Sequence, residues 1–281
     1  MRFAIATADK HEGVFHALMA HGWKPVKLFT FFDQQQCMGA NVAAAASKLG
    51  VPVQTSRLTD EDLAGLKELD CEALVVANYR WRIGDWRPHL RYAVNFHPSP
   101  LPLGRGPWPL VRALREGLDE WGVSCHRLSA DFDAGDLLAQ ARFAVAQDET
   151  QEGLDLRCQM ALRDLAATVP EGFPALWRQA APQGPADYWP RWSEADRALD
   201  LSGTVAQAQR QLRAFGLLEC TARFGPSLVA VRRGVAWLQA HPHAPGTLVH
   251  GQGRHLVFAL RDGYLGLLDW SFQAPAAAPA P

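Results

Sequence analysis

The sequence predicts an α/β fold in which an open, mostly parallel sheet is followed by a small all-β unit, and three observations carry that expectation. Short apolar runs alternate with helix-like stretches over the first two-thirds of the chain, the pattern of βαβ units. Proline and glycine interrupt every periodic pattern at Pro182-Gln183-Gly184-Pro185, which marks a linker. Beyond it, short alternating runs separated by glycine-rich turns point to a small β-barrel or β-sandwich.

Along the chain, residues 2–8 form an apolar run, 11–21 a helix-like stretch and 25–32 a second apolar run. An Ala-rich helix at 40–49, an extended 51–53 and an acidic helix start at Thr59-Asp60-Glu61-Asp62 follow. Residues 73–77 and 92–96 read as strands, and a loop packed with proline and glycine runs from Pro98 to Pro109. A helix at 108–117, strands near 122–128 and 137–145, and an amphipathic helix from about 151 to 169 complete the first part. The second part reads as one helix, 203–214, and runs at 228–231, 246–249, 255–259 and 265–268. The expected division is 1–181 for the α/β domain, 182–202 for a linker and 203–273 for the small β domain, with an Ala/Pro-rich tail, 274–281, expected to be disordered.

With 281 residues, 48% hydrophobic and 20% charged, the chain has apolar material for one good core and a smaller second one. A formal net charge of -1 supplies no long-range field, so bulk electrostatics draw the protein neither to DNA nor to an anionic membrane. Five cysteines, at positions 37, 71, 125, 158 and 220, show no metal-ligand spacing and make a poor disulfide framework. They read as reduced thiols in a cytoplasmic protein. The start, Met1-Arg2-Phe3-Ala4-Ile5-Ala6, lacks a long apolar region, and no segment approaches the length of a membrane span. His241 and His243 share a turn without a third ligand in view, so no metal site is expected.

The informative stretch begins at Asn95-Phe96-His97-Pro98-Ser99-Pro100-Leu101-Pro102 and ends at Asp131-Phe132-Asp133-Ala134-Gly135-Asp136. Asn95 and His97 sit two apart at the carboxyl end of a strand, so their side chains leave one face, toward the crevice where open α/β sheets bind ligands. Four prolines between positions 98 and 107 stiffen the loop that follows. Asp133 occupies a turn between two expected strands, able to bring its carboxylate over the same crevice. An amide N–H₂ and an imidazolium are donors an oxyanion needs, and a carboxylate beside the ring would keep it protonated and could take a proton from an attacking amine. Each residue also has an ordinary structural use: Asn95 as a turn cap, Asp133 before Ala-Gly as a turn residue. Their joint placement favours the chemical reading.

Asn-x-His followed by Ser-x-Leu-Pro and Arg-Gly, then Gly122-Val123-Ser124-x-His126 leading to Asp133-x-Gly135-Asp136, resembles the 10-formyltetrahydrofolate-dependent formyltransferases that act on methionyl-tRNA, glycinamide ribonucleotide and amino sugars. The resemblance implies a Rossmann-like domain and a catalytic trio of Asn95, His97 and Asp133. It implies that the folate pterin enters between two loops, here Tyr79, Arg80, Trp81, Arg82 and Ile83 on one side and Ala130, Asp131 and Phe132 on the other, largely through backbone groups. Ser99 and His126 are implied as supports of the site. Tyr188-Trp189-Pro190-Arg191-Trp192, Asp200-Leu201-Ser202 and Ala244-Pro245-Gly246-Thr247 resemble the small, OB-like barrel appended to the tRNA enzymes and some sugar enzymes.

Two departures bear on the acceptor. Pro100 replaces the first Leu of the family's Ser-Leu-Leu-Pro, a mild change. The tRNA enzymes carry a long basic insertion after the second strand, whereas Phe31–Gly39 here holds no Lys or Arg to neutralise phosphates. The expected function is formylation of a small-molecule amine or hydroxylamine, such as a nucleotide-linked amino sugar or an N-hydroxyornithine of siderophore synthesis. Methionyl-tRNA formylation, hydrolysis of the same donor and a non-enzymatic folate-binding role are the alternatives. A homodimer built through the barrel is an expectation that a sizing column tests.

Overall fold

A computed structural model describes residues 1–32 and 39–273, so the tail 274–281 and most of the Phe31–Gly39 stretch lie outside the described residues. By contact the chain divides into two units that interleave in sequence: Met1–Pro107, Glu120–Ala144 and Leu156–Trp189 form the first, and Trp108–Asp119, Val145–Asp155 and Pro190–Pro281 the second. The division expected from the sequence is contiguous; the grouping by contact assigns the segment holding the helix at 109–116 to the second unit.

The first unit is built on β1 (Arg2–Thr7), α1 (Glu12–Ala20), β2 (Lys24–Phe29), α2 (Ala40–Lys48), β3 (Val53–Gln54), α3 (Asp60–Gly65), β4 (Ala73–Ala77) and β5 (Tyr92–His97). After α4 (Pro109–Glu116) come β6 (Glu120–Arg127), β7 (Leu137–Ala144) and α5 (Gln151–Gln179). The seven strands lie in the order β3-β2-β1-β4-β5-β6-β7. The ladders from β3 through β5 are parallel, and β6 and β7 add an antiparallel edge. This large, mostly parallel sheet fits the Rossmann-like expectation. Strands β1 and β4 are buried at nearly every position because helices cover both faces, which is why they read as unbroken apolar runs.

Local signals set several boundaries. Thr59 and Asp62 close a reciprocal capping box at the start of α3, and Pro109 with Gly117 in the left-handed region bracket α4. The long helix departs from expectation: α5 does not stop at 169 but continues through Pro170 and Pro174 to Gln179. Each interior proline costs about 3 kcal/mol in a helix. The apolar stripe nevertheless runs on, from Leu162, Leu165 and Val169 to Phe173, whose ring packs edge-on against Trp23 and Tyr92. Burial of that stripe outweighs a local rule that predicts an early stop.

Alternation along β5 prepares the site. Ala93 faces the cluster of Ala4, Ala6, Leu63, Leu74 and Val76, so Asn95 and His97 emerge on the same face further along the strand. Antiparallel register sets His126 of β6 directly opposite Asn95.

The second unit contains α4, α6 (Val205–Phe215) and the strands β8 (Cys220–Phe224), β9 (Ser227–Leu238), β10 (Leu248–Gln252), β11 (His255–Ala259) and β12 (Gly263–Phe272). Thr204 and Gln207 form a second capping box at the start of α6. The strands make one antiparallel sheet in the order β10-β11-β12-β9-β8, and β12 is irregular against β9 around Asp269. Among the described residues no ladder joins β10 to β8, so the pairings show a small antiparallel sheet and do not establish the OB-like barrel expected. Strands β9 and β12 are also longer than the short runs read from sequence, since a bulge lets a strand continue past a break in alternation.

Candidate active site

Asn95, His97, His126 and Asp133 converge on one face of β5 and β6. The carboxylate of Asp133 is the hub: its Oδ1 accepts from Asn95 Nδ2 at 3.1 Å and lies 3.4 Å from His97 Nδ1, and its Oδ2 accepts from the backbone N–H of Gly106 at 3.0 Å. Asn95 Nδ2 also stands 3.1 Å from His126 Nε2. His126 Nδ1 lies 2.8 Å from the Arg127 carbonyl, which only accepts, so Nδ1 carries the hydrogen and Nε2 takes one from Asn95. Both amide hydrogens of Asn95 are thereby directed inward, one to a carboxylate and one to an imidazole.

His97 is ringed by acceptors. Its Nε2 donates to the Gly104 carbonyl at 3.0 Å, which leaves Nδ1 facing Asp133. Burial pushes the ring's pKa below the ordinary imidazole value, against the Asp133 charge and the Gly104 carbonyl, which both favour the protonated form. Burial, which favours the neutral ring, is thus set against two acceptors that favour the imidazolium expected from the sequence. Burial would raise the Asp133 carboxyl, but His97 and the Gly106 N–H oppose it, and the carboxyl is held well below the usual carboxylate range. An ionised Asp133 3.4 Å from His97 Nδ1 can stabilise an imidazolium there without moving.

The supporting residues divide. Ser99 is fully buried, yet its hydroxyl has no partner; its carbonyl is what matters, accepting from Ser124 Oγ at 2.7 Å. Ser124 in turn accepts from Leu101 N and from Gln140 Nε2, bracing the proline-rich loop that carries Gly104 and Gly106. Sequence reasoning did not assign roles to Ser124, Gln140, Gly104 or Gly106. Gly106 lay inside the quoted Arg-Gly pair, but a backbone donor leaves no side-chain signal.

The two expected folate loops do meet. Arg82 Nη2 donates to the Ala130 carbonyl at 2.7 Å and its guanidinium lies over the Phe132 ring, 5.7 Å from its centroid. Tyr79 and Ile83 turn their side chains onto the core, and the Tyr79 hydroxyl accepts from Leu58 N at 2.8 Å. Arg80 and Trp81 group with Phe31 instead, and Asp131 is exposed. Asn78, at φ +59, turns the chain into the first of these loops, and its Nδ2 is buried without a partner. Trp86 packs on the core, its indole donating to the Leu128 carbonyl.

His11 was not singled out from the sequence. It is buried at the start of α1, both ring nitrogens lack partners, and its pKa is driven to about 3 by burial, then by Lys10 and His97. Because this value lies below the unfolded 6.5, the unfolded chain binds the extra proton as pH falls. Stability present at neutral pH is therefore lost between 6.5 and about 3, at up to roughly 1.4 kcal/mol per pH unit from this group. Urea titrations from pH 7 downward measure that slope, and His11→Leu flattens it.

Donors for an oxyanion, a neutral base and a fixed carboxylate on an α/β sheet define an enzyme of acyl-group transfer to a nucleophile. Residues 5–167 match the family model described as formyl transferase. A methionyl-tRNA formyltransferase of Bordetella parapertussis is 31% identical over 245 residues, covering 81% of this chain and 78% of the relative. The chain belongs to the formyl transferase family. In fold it is similar to an N-formyltransferase from Helicobacter canadensis in complex with folinic acid and dTDP-3-aminofucose, with TM-score 0.69, 12% identity, and coverage of 96% and 99% of the two chains. It is also similar to HypX from Aquifex aeolicus in complex with tetrahydrofolic acid, with TM-score 0.65, 16% identity and 95% of this chain covered; it spans only 43% of HypX. Among the described residues no cluster of three or more His, Cys, Asp or Glu has metal-binding geometry, and no helix is long and apolar enough to cross a membrane.

Proposed function

We propose that the protein moves a formyl group from 10-formyltetrahydrofolate to the amine or hydroxylamine nitrogen of a small molecule, such as a nucleotide-linked amino sugar or an N-hydroxyornithine. The observation that carries the chemistry is the Asp133 carboxylate, 3.4 Å from His97 Nδ1 and 3.1 Å from Asn95 Nδ2. As the nitrogen attacks the formyl carbon, the carbonyl oxygen gains charge, and Asn95 redirects one N–H to it. The proton leaving the nitrogen goes to His97, whose two ring nitrogens then donate to Gly104 and Asp133. Collapse of the tetrahedral intermediate breaks the bond to the folate nitrogen, which takes that proton back. No covalent enzyme intermediate is required. The donor is placed between Asn78–Ile83 and Ala130–Phe132, two loops that Arg82 ties together, where the buried Asn78 amide has a hydrogen to offer.

The small acceptor is supported by the Phe31–Gly39 stretch, which offers no cation to a phosphate backbone. Methionyl-tRNA is the second reading, favoured by the 31% identity to the Bordetella enzyme. Hydrolysis, with water as acceptor, uses the same residues. Incubation with 10-formyltetrahydrofolate and a panel of amino sugars, hydroxylamines and charged initiator tRNA, followed by mass analysis, separates them. A formylated small molecule is the expected product; robust tRNA formylation, or formate release independent of any amine, overturns the assignment.

A further inference from the structure

The turn that presents Asp133 is held in part from outside its own residues. Asp133 adopts φ +55, a left-handed conformation that costs a non-glycine residue about 1–2 kcal/mol. Gly135 leaves no room for a side chain, since a Cβ there would meet the Arg127 carbonyl oxygen at 2.0 Å. Such a turn needs an external clamp, and one comes from the segment after α5, which reads in the sequence as a linker.

Gln183 Nε2 donates to the carbonyl of Asp133 at 2.9 Å and to that of Gly135 at 2.7 Å. Its Oε1 accepts two bonds from Arg105, from Nε at 3.0 Å and from Nη2 at 2.9 Å. The amide has one workable orientation: exchanging its oxygen and nitrogen would set an acceptor against two carbonyls and a donor against a guanidinium. Arg105 also donates to the Gly184 carbonyl at 3.1 Å, and its own carbonyl accepts from Trp189 N at 2.7 Å. The Arg105-Gly106 pair therefore grips Asp133 twice, through Gln183 at the backbone and through the Gly106 N–H at the carboxylate.

We propose that Gln183 is a positioning residue of the active site: anchored by Arg105, it fixes the Asp133 turn so that the carboxylate meets His97 and Asn95, which makes the presumed linker a working part of the catalytic unit. The contacts it protects are short, and misplacement by about 1 Å costs on the order of 10²-fold in rate. The kinetic consequence rests on the formyl transfer proposed above; the geometric one does not.

Two substitutions in the full chain test this. Gln183→Glu keeps the length and strengthens the pairing with Arg105, so the segment stays anchored, but it has no N–H for the two carbonyls. Gln183→Leu removes both interactions. Both variants are expected to lower kcat by roughly 10–100-fold with KM for donor and acceptor nearly unchanged, and Gln183→Glu is expected to unfold near the wild-type temperature. A strap that served stability alone would leave kcat intact in Gln183→Glu. Independently of turnover, the His97 imidazole titration followed by NMR is expected to move further down in Gln183→Leu, because the carboxylate that raises it has withdrawn. Wild-type kcat in Gln183→Glu, or an unchanged His97 titration in Gln183→Leu, overturns the proposal. If the wild type formylates no acceptor, the functional reading fails and the titration still decides the role of Gln183.

Discussion

His97→Ala and Asp133→Ala each reduce formyl transfer by roughly 10²–10⁴-fold while leaving folate affinity near wild type. His97 is the ring with a vacant proton seat, and Asp133 is the charge that stabilises the proton once it arrives. Because the two act as a unit, the double variant loses little more than either single one. Asn95→Ala costs roughly 10²–10³-fold, the usual worth of one oxyanion donor. Steady-state kinetics with a fluorescence titration of tetrahydrofolate separate the two effects; a wild-type rate in either His97 or Asp133 variant rejects the trio. The pH profile carries the same sign. In the proposed mechanism His97 takes its proton as the neutral ring, and its pKa is depressed below 6.5, so activity is expected to persist into mildly acidic buffer and to be lost as pH falls through that lowered value. Asp133, held well below the usual carboxylate range, stays ionised in mildly acidic buffer.

Gly106→Ala removes the site by a different route. Gly106 has φ +122, and a Cβ placed there would lie 2.0 Å from the Trp189 carbonyl oxygen, a backbone atom that cannot swing aside. The segment must shift, and the N–H that holds Asp133 Oδ2 shifts with it. A stability loss of at least about 1–3 kcal/mol is expected from the backbone strain alone, together with a fall in kcat approaching that of the Asp133 variant. Gly22→Ala is the control. It meets the same left-handed penalty at φ +84, with nothing within 4 Å. It is expected to lower the urea midpoint and leave kcat unchanged. Equal loss of activity in both variants would assign the Gly106 effect to general destabilisation.

Much of this architecture was legible in the residues. The two-residue spacing of Asn95 and His97 placed both on one face of a strand, and the Asp-x-Gly turn announced a carboxylate after β6, because period-two alternation and turn chemistry are local rules. His126 was marked as a support and stands opposite Asn95 in the register of two antiparallel strands. The end of α5 was misread for the complementary reason. Pro170 and Pro174 are strong local stop signals, and only the packing of Phe173 against Trp23 and Tyr92 shows why the helix ignores them. The small antiparallel sheet was legible too, but not whether it closes into a barrel, since short alternating runs are common to closed and open sheets and closure is a matter of which edges pair.

The sequence by itself determined the α/β class and the identities of the amide, imidazole and carboxylate at the candidate site. The tertiary structure alone decided that the Gly104 and Gly106 backbones meet His97 and Asp133, that Gln183 reaches back to the Asp133 turn, and that burial lowers the pKa of His97. Those properties depend on groups far apart in the chain, on main-chain atoms common to every residue and on exclusion of water, none of which leaves a periodic or compositional trace.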